Sequence, residues 1–228
     1  MWVVQRRGSP DVYTCCMRLE GSSGRDQAYQ YLRTTVLTDP SVPGTFINEQ
    51  QVATAVGVSR TPVREALLML AAESFIQLVP HRGAFVAPVP GREIAETMQA
   101  RTLIECWAAA TCMREGRSPH LTMGRLLDRQ RKLLEDGSAR DFIELDRQFH
   151  VLLVRAGGNT VLERMYEGVQ ARHVLLGVVA IERSSTRRKE VLEEHQAILD
   201  ALSTGDRVRC EQAIHRHLVT TRDVLTRG

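Results

Sequence analysis

Two groups of residues in the chain have types and spacing that could do chemistry. The first is Arg60 and Arg64 in the stretch GVSRTPVREALLML, Gly57 to Leu70. Four residues apart, they project from one side of a helix, and a guanidinium offers a rigid fork of donors suited to guanine edges and phosphates. The second group is Asp146, His150, His195 and His217. Asp146 and His150 fall within an apolar stripe set by Phe142, Phe149 and Leu153. His195 is flanked by Val191, Ile198 and Leu202, and His217 is bracketed by Ala213, Ile214, Thr221 and Val224. A carboxylate and three imidazoles on inward helix faces are costly to bury without a shared partner. A divalent ion would supply one, and this donor set suits zinc, nickel or manganese. The competing reading is that each histidine is a satisfied or partly exposed core residue. Periodicity leaves both open. His215 points about 200° around the helix from His217 and should be solvated.

Arg101 lies three residues after Met98 and four before Glu105. It is either half of a surface Arg–Glu pair with little effect on stability or an anion anchor for a carboxylate ligand facing a cavity. His173 is a further candidate for that cavity. The cluster Glu182, Arg183, Arg187, Arg188, Lys189 and Glu190 is most simply a solvated turn and helix face.

The elements that must position these residues follow from caps and periodicity. Residues 1 to 24 lack sustained periodicity and end in GSSG, which predicts an extension, with Met17 as an alternative start. Ala28, Leu32, Thr35 and Val36 recur at helical spacing over Arg25 to about Leu37, and Asp39-Pro40 with Pro43-Gly44 stop that helix. Asn48 is a cap for a short helix through Val52 and Val56, ended by Gly57. Ser59 then caps a helix to about Glu73, with its hydroxyl taking an orphan amide and Pro62 in the first turn. FIQLV and AFVAPV, joined by Pro80-His81-Arg82-Gly83, read as a β-hairpin with a basic tip. Three helices and such a hairpin make a winged helix-turn-helix, whose second helix of the pair enters the major groove.

Pro88, Pro90 and Gly91 form a short linker. Six helices follow: roughly Arg92 to Glu115, Pro119 to Glu135, Ala139 to Arg155, Thr160 to Glu182, Thr186 to Ser203 and Asp206 to Thr226. The fold class is therefore mainly α: residues 25–90 a winged helix-turn-helix, residues 91–228 an all-α bundle of about six helices.

Composition agrees with a globular protein, at 43% hydrophobic and 25% charged residues. The formal charge of +3 is a weak argument for nucleic acid, so any case for DNA rests on local placement. The five cysteines, Cys15, Cys16, Cys106, Cys112 and Cys210, show no CxxC spacing. With no signal peptide ahead of them they read as reduced cytoplasmic thiols. No apolar run approaches the roughly 18 residues of a membrane helix.

PSVPGTFINEQQVATAVGVSRTPVREAL resembles the DNA-binding signature of the GntR family of bacterial transcription regulators, and VSRTPVREAL is the specific part. Asp146-x3-His150, His195 in EEHQAILDAL, His217 in the last helix, Arg101-x3-Glu105 and Asn159 after Gly-Gly resemble the FCD ligand domain of the FadR-like subfamily. A count of six bundle helices favours its VanR-type branch. The resemblance implies that Ser59, Arg60, Thr61, Arg64 and Gly83, with Arg82 at the basic wing tip, contact operator DNA. It implies that Asp146, His150, His195 and His217 hold a divalent ion, zinc first among the choices, whose open positions take a small carboxylate effector near Arg101. It further implies a homodimer on a palindromic operator. Gln50 stands where some members place a DNA-contacting arginine, Ser74 replaces a common glycine, and the first 24 residues have no counterpart. The alternatives are a metal-dependent enzyme, with the ion activating water, and a bundle closed by a purely structural metal.

Overall fold

Local signals in the N-terminal part place three helices and a hairpin. The computed structural model describes residues 22–227 apart from 38, 40, 74, 136 and 171–172. The expectations for residues 1–21, Cys15, Cys16, Met17 and Ser74 thus lie outside the described residues. Helix α1 (Gly24–Tyr31) starts at Ser23, whose hydroxyl accepts from the Asp26 amide, and runs into a π-turn over Leu32–Val36. That turn corrects the expected register. The Leu37 amide reaches back five residues to the Leu32 carbonyl, so Leu37 is buried while Thr35 is exposed. Helix α2 (Glu49–Val56) is capped by Asn48, which accepts from the Gln50 and Gln51 amides, and it ends on Gly57 at φ 76°.

Helix α3 (Arg60–Ala72) buries Val63, Ala66, Leu67 and Leu70 against α1 and α2. Tyr29 ties the far end of α3 to α1 by donating to the Glu73 carboxylate at 2.8 Å. Ser59 occupies the N-cap position but makes no side-chain cap hydrogen bond, contrary to the expected role of its hydroxyl. Strands β1 (Gln77–Val79) and β2 (Gly83–Phe85) pair antiparallel, with Leu78 opposite Ala84. A third segment, missed by the sequence pattern, lies along β2: the Ile47 amide donates to Ala84 and Gly44 to Val86. Nothing lies within 4 Å of a Cβ built on Gly57, so Gly57→Ala is expected to cost about 1 kcal/mol through left-handed backbone strain alone, read as a lowered urea midpoint.

The bundle consists of α4 (Gly91–Arg114), α5 (His120–Arg131), α6 (Ala139–Ala156), α7 (Thr160–Gln170), α8 (His173–Arg183), α9 (Arg187–Thr204) and α10 (Arg207–Thr226). The described residues of the helix expected over Thr160 to Glu182 are helical, as α7 and α8, and residues 171–172 between them lie outside the described residues. Helix α5 stops earlier than expected, at Arg131. Its last turn tightens into i→i+3 bonds, and Arg188 from α9 donates to the Leu133 and Gly137 carbonyls beyond it. Helices α9 and α10 meet at Gly205, φ 71°, with Asp206 capping α10.

Buried apolar residues form separate clusters, one from Ala28 to Val86 and a larger one within the bundle. No helix among the described residues is long and apolar enough to cross a membrane.

Candidate functional site

Helices α6, α9 and α10 each present a polar residue from within a buried stripe, and the fold brings the four to one point. Asp146, His150, His195 and His217 are all buried, with one ligand atom of each within 4.8 Å of the others. The imidazoles form a triangle with centroid separations of 5.1, 5.0 and 4.8 Å. Phe149 stacks on His195 at 4.2 Å and fixes its plane.

What holds each ring decides which nitrogen faces inward. His150 Nδ1 lies 2.7 Å from Glu105, and His217 Nδ1 lies 2.7 Å from Glu194. A carboxylate only accepts, so both Nδ1 atoms carry the proton. His195 Nδ1 meets Gln130 Oε1 at 3.3 Å, and the Gln130 amide nitrogen donates to the Phe142 carbonyl, which sets the amide so that Oε1 faces the ring. His195 therefore also donates from Nδ1. Nε2 of His150 and of His195 is then a buried acceptor with no hydrogen-bond partner among the described residues. Such atoms are expensive to leave unmatched. Three histidines steered by outer acceptors, with lone pairs converging beside a carboxylate, are what a divalent cation needs, so the residues fit a metal.

His173 faces the same cavity with both nitrogens committed. Arg101 can only donate, so its contact to His173 Nδ1 at 3.0 Å makes that atom an acceptor, and Nε2–H donates to Asp146 at 2.6 Å. Burial, followed by the nearby Arg101 charge, lowers the His173 pKa to about 4. Burial alone would raise the Asp146 carboxyl, but the imidazoles of His195, His173 and His150 outweigh it and hold it well below the carboxylate range. Arg101 is buried, donates to Glu105 at 2.9 Å and keeps Nη2 without a partner. The structure thus excludes a surface Arg101–Glu105 pair. His215 is exposed, as expected.

The N-terminal face is built differently. Ser59, Arg60, Thr61 and Arg64 are exposed along the start of α3. Arg60 Nη2 and Arg64 Nε each donate to the same Glu49 oxygen at 2.9 Å, so a carboxylate on α2 gathers the two guanidiniums. Burial would raise the Glu49 pKa, but the two arginines prevail and lower it. Gln50 is exposed on the same first turn of α2. At the wing tip, Gly83 adopts φ 100° and the exposed Arg82 guanidinium lies 4.7 Å over the Phe46 ring.

Residues 25–86 match the gntR family of bacterial regulatory proteins, and residues 96–220 match the FCD domain. An HTH-type transcriptional regulator in an unstable DNA locus of Streptomyces ambofaciens is 30% identical over 91% of this chain and 87% of its own length. The chain belongs to the GntR family of transcription regulators and carries an FCD domain. The HTH-type transcriptional repressor RspR of Escherichia coli is also 30% identical, over 84% of each chain. A putative GntR regulator from Rhodococcus sp. RHA1 shares the fold at TM-score 0.78 and 20% identity, covering 91% of this chain and 99% of that one. The matched domains and relatives are transcription regulators, so this GntR protein is a DNA-binding regulator and not an enzyme.

Several groups in this regulator's site escaped the sequence reading. Arg187, assigned there to a solvated face, is fully buried. It makes two bonds to the Glu194 carboxylate, at 2.9 and 2.8 Å, and donates to Thr221, while Nε has no partner. A signal was available: Arg187 lies four before Val191 and eight before His195, on the buried stripe. Glu105, Glu194 and Gln130, which aim the three histidines, carried no such signal, because their partners lie on other helices.

Proposed function

We propose that this regulator's affinity for operator DNA is controlled by a small carboxylate bound at a divalent ion held by Asp146, His150, His195 and His217. The reading rests chiefly on the Nε2 atoms of His150 and His195, buried without a hydrogen-bond partner among the described residues and 3.8 and 3.2 Å from Asp146 oxygens. Zinc is the first candidate for the ion, with nickel or manganese as alternatives for the same donors. Bound there, the ion supplies a Lewis-acidic centre whose open positions take the carboxylate. Arg101, whose buried Nη2 has no hydrogen-bond partner, anchors the anion.

At the other end, Ser59, Arg60, Thr61 and Arg64 meet the operator in the major groove while Arg82 and Gly83 of the wing touch its backbone or minor groove. Two copies, as a homodimer, address the half-sites of a palindrome. Residues 25–90 serve as the DNA-binding unit and residues 91–228 as the sensing and dimerisation unit. The protein acts as a cytoplasmic repressor, a reading supported by its similarity to RspR.

A gel shift on operator fragments tests this. Carboxylates should change the operator affinity of zinc-loaded protein and leave chelator-treated protein unmoved. An identical response with and without the ion would remove the metal from the sensing role and favour a structural one.

A further inference from the structure

The chemistry of the cavity beside the four ligands narrows what the effector can be. The cavity measures about 20 Å³, room for about one water, so a larger occupant must push aside the side chains that line it. Most of that wall is apolar, formed by Met98, Ile143, Leu176, Ala180, Ile181 and Val191. Of the two wall hydroxyls, Thr97 and Thr221, the second is already spent, accepting from Arg187 and donating to the His217 carbonyl. A ligand with several hydroxyls would bury them against this wall with few partners, and each would carry a desolvation cost.

Charge narrows the choice further. Arg101 and Arg187 both line the cavity, and each keeps one buried nitrogen without a hydrogen-bond partner, Nη2 of Arg101 and Nε of Arg187. With neutral imidazoles, these two cations face the carboxylates of Asp146, Glu105 and Glu194, an excess of one negative charge. Glu190, which also reaches Arg187, is 41% exposed and is balanced by solvent. A divalent ion at the cluster turns the excess into one positive charge, which one carboxylate neutralises and two overshoot.

We propose that the effector is a monocarboxylate with a short aliphatic body, its carboxylate shared between the metal and the spare N–H groups of Arg101 and Arg187 and its chain against the α6 and α8 wall. This rests on the carboxylate-at-metal reading above. It selects against sugar acids and dicarboxylates.

The test is a calorimetric titration of the full chain, loaded with zinc, against acetate, butyrate, gluconate and succinate, repeated after chelation. Butyrate should bind about tenfold tighter than acetate: two further methylenes on an apolar wall strengthen binding about fifteenfold, less the cost of moving the side chains aside. It should also bind at least about tenfold tighter than gluconate or succinate, with chelation removing the response. Two substitutions read the wall itself. Ile143→Ala should shift the preference toward hexanoate. Gly177→Ala, whose new Cβ would sit 2.6 Å from Ile143 Cγ2, should press Ile143 inward and weaken butyrate more than acetate. Gluconate or succinate binding as tightly as butyrate would overturn the aliphatic assignment and leave the carboxylate site standing. A zinc-loaded protein that binds none of the four would overturn both.

Discussion

Arg64→Ala is expected to weaken binding to the specific operator by about 1–3 kcal/mol, between about fivefold and a hundredfold, with Arg60→Ala in the same range. Both arginines are exposed and held by one oxygen of Glu49, so alanine removes a base or phosphate contact without opening a core. Glu49 sharpens the expectation. Its carboxylate holds both guanidiniums side by side on the free protein but also competes with phosphate for them. Glu49→Gln should therefore strengthen binding to random-sequence DNA while lowering the ratio of specific to non-specific affinity. Gel shifts on operator and scrambled duplexes at two salt concentrations measure both effects. If Arg60→Ala and Arg64→Ala bind operator as well as the wild type, α3 is not the reading helix.

The second large effect concerns the buried cluster. His195→Ala and Asp146→Asn should each leave purified protein with less than about a tenth of the wild-type metal content by elemental analysis, since a four-donor set loses a quarter of its ligands. Zinc should then no longer raise the melting temperature, whereas wild type at an ion concentration a thousandfold above Kd gains about 4 kcal/mol. Glu194→Gln is the more telling variant. It keeps the size of the side chain and an acceptor for His217 Nδ1, but removes the charge that now lies 2.7 Å from that ring. A chelator competition should show its affinity for zinc reduced about 10- to 100-fold. Wild-type protein that retains no ion and is not stabilised by zinc, nickel or manganese would return the four residues to the role of a polar core.

Much of this was legible in the chain, and the reason is local. Caps such as Asn48 and Asp206, stops such as Gly57 and Gly205, and the 3.6-residue stripes on α6, α9 and α10 act within one element, so spacing alone placed Asp146, His150, His195 and His217 on buried faces. The same logic put Arg60 and Arg64 side by side on α3. Where local logic met a local exception it slipped: the π-turn at Leu32–Val36 moved Leu37 into the core.

What only the tertiary structure decided is how the faces meet. Which outer residue aims each imidazole depends on the rotation and crossing of two helices, and no spacing within one helix encodes that. Glu105 on α4 therefore proved to be the acceptor for His150 on α6, Gln130 on α5 for His195, and His173 on α8 the donor to Asp146. Arg101 lost its surface alternative for the same reason: packing of α4 against α6 and α10 buries it against His173, the donor to Asp146. The chain by itself placed Asp146, His150, His195 and His217 on buried faces and Arg60 and Arg64 on one side of α3. The assembly of helices determined the protonation pattern that frees Nε2 of His150 and His195, and it brought the apolar wall, Arg101 and Arg187 around one cavity.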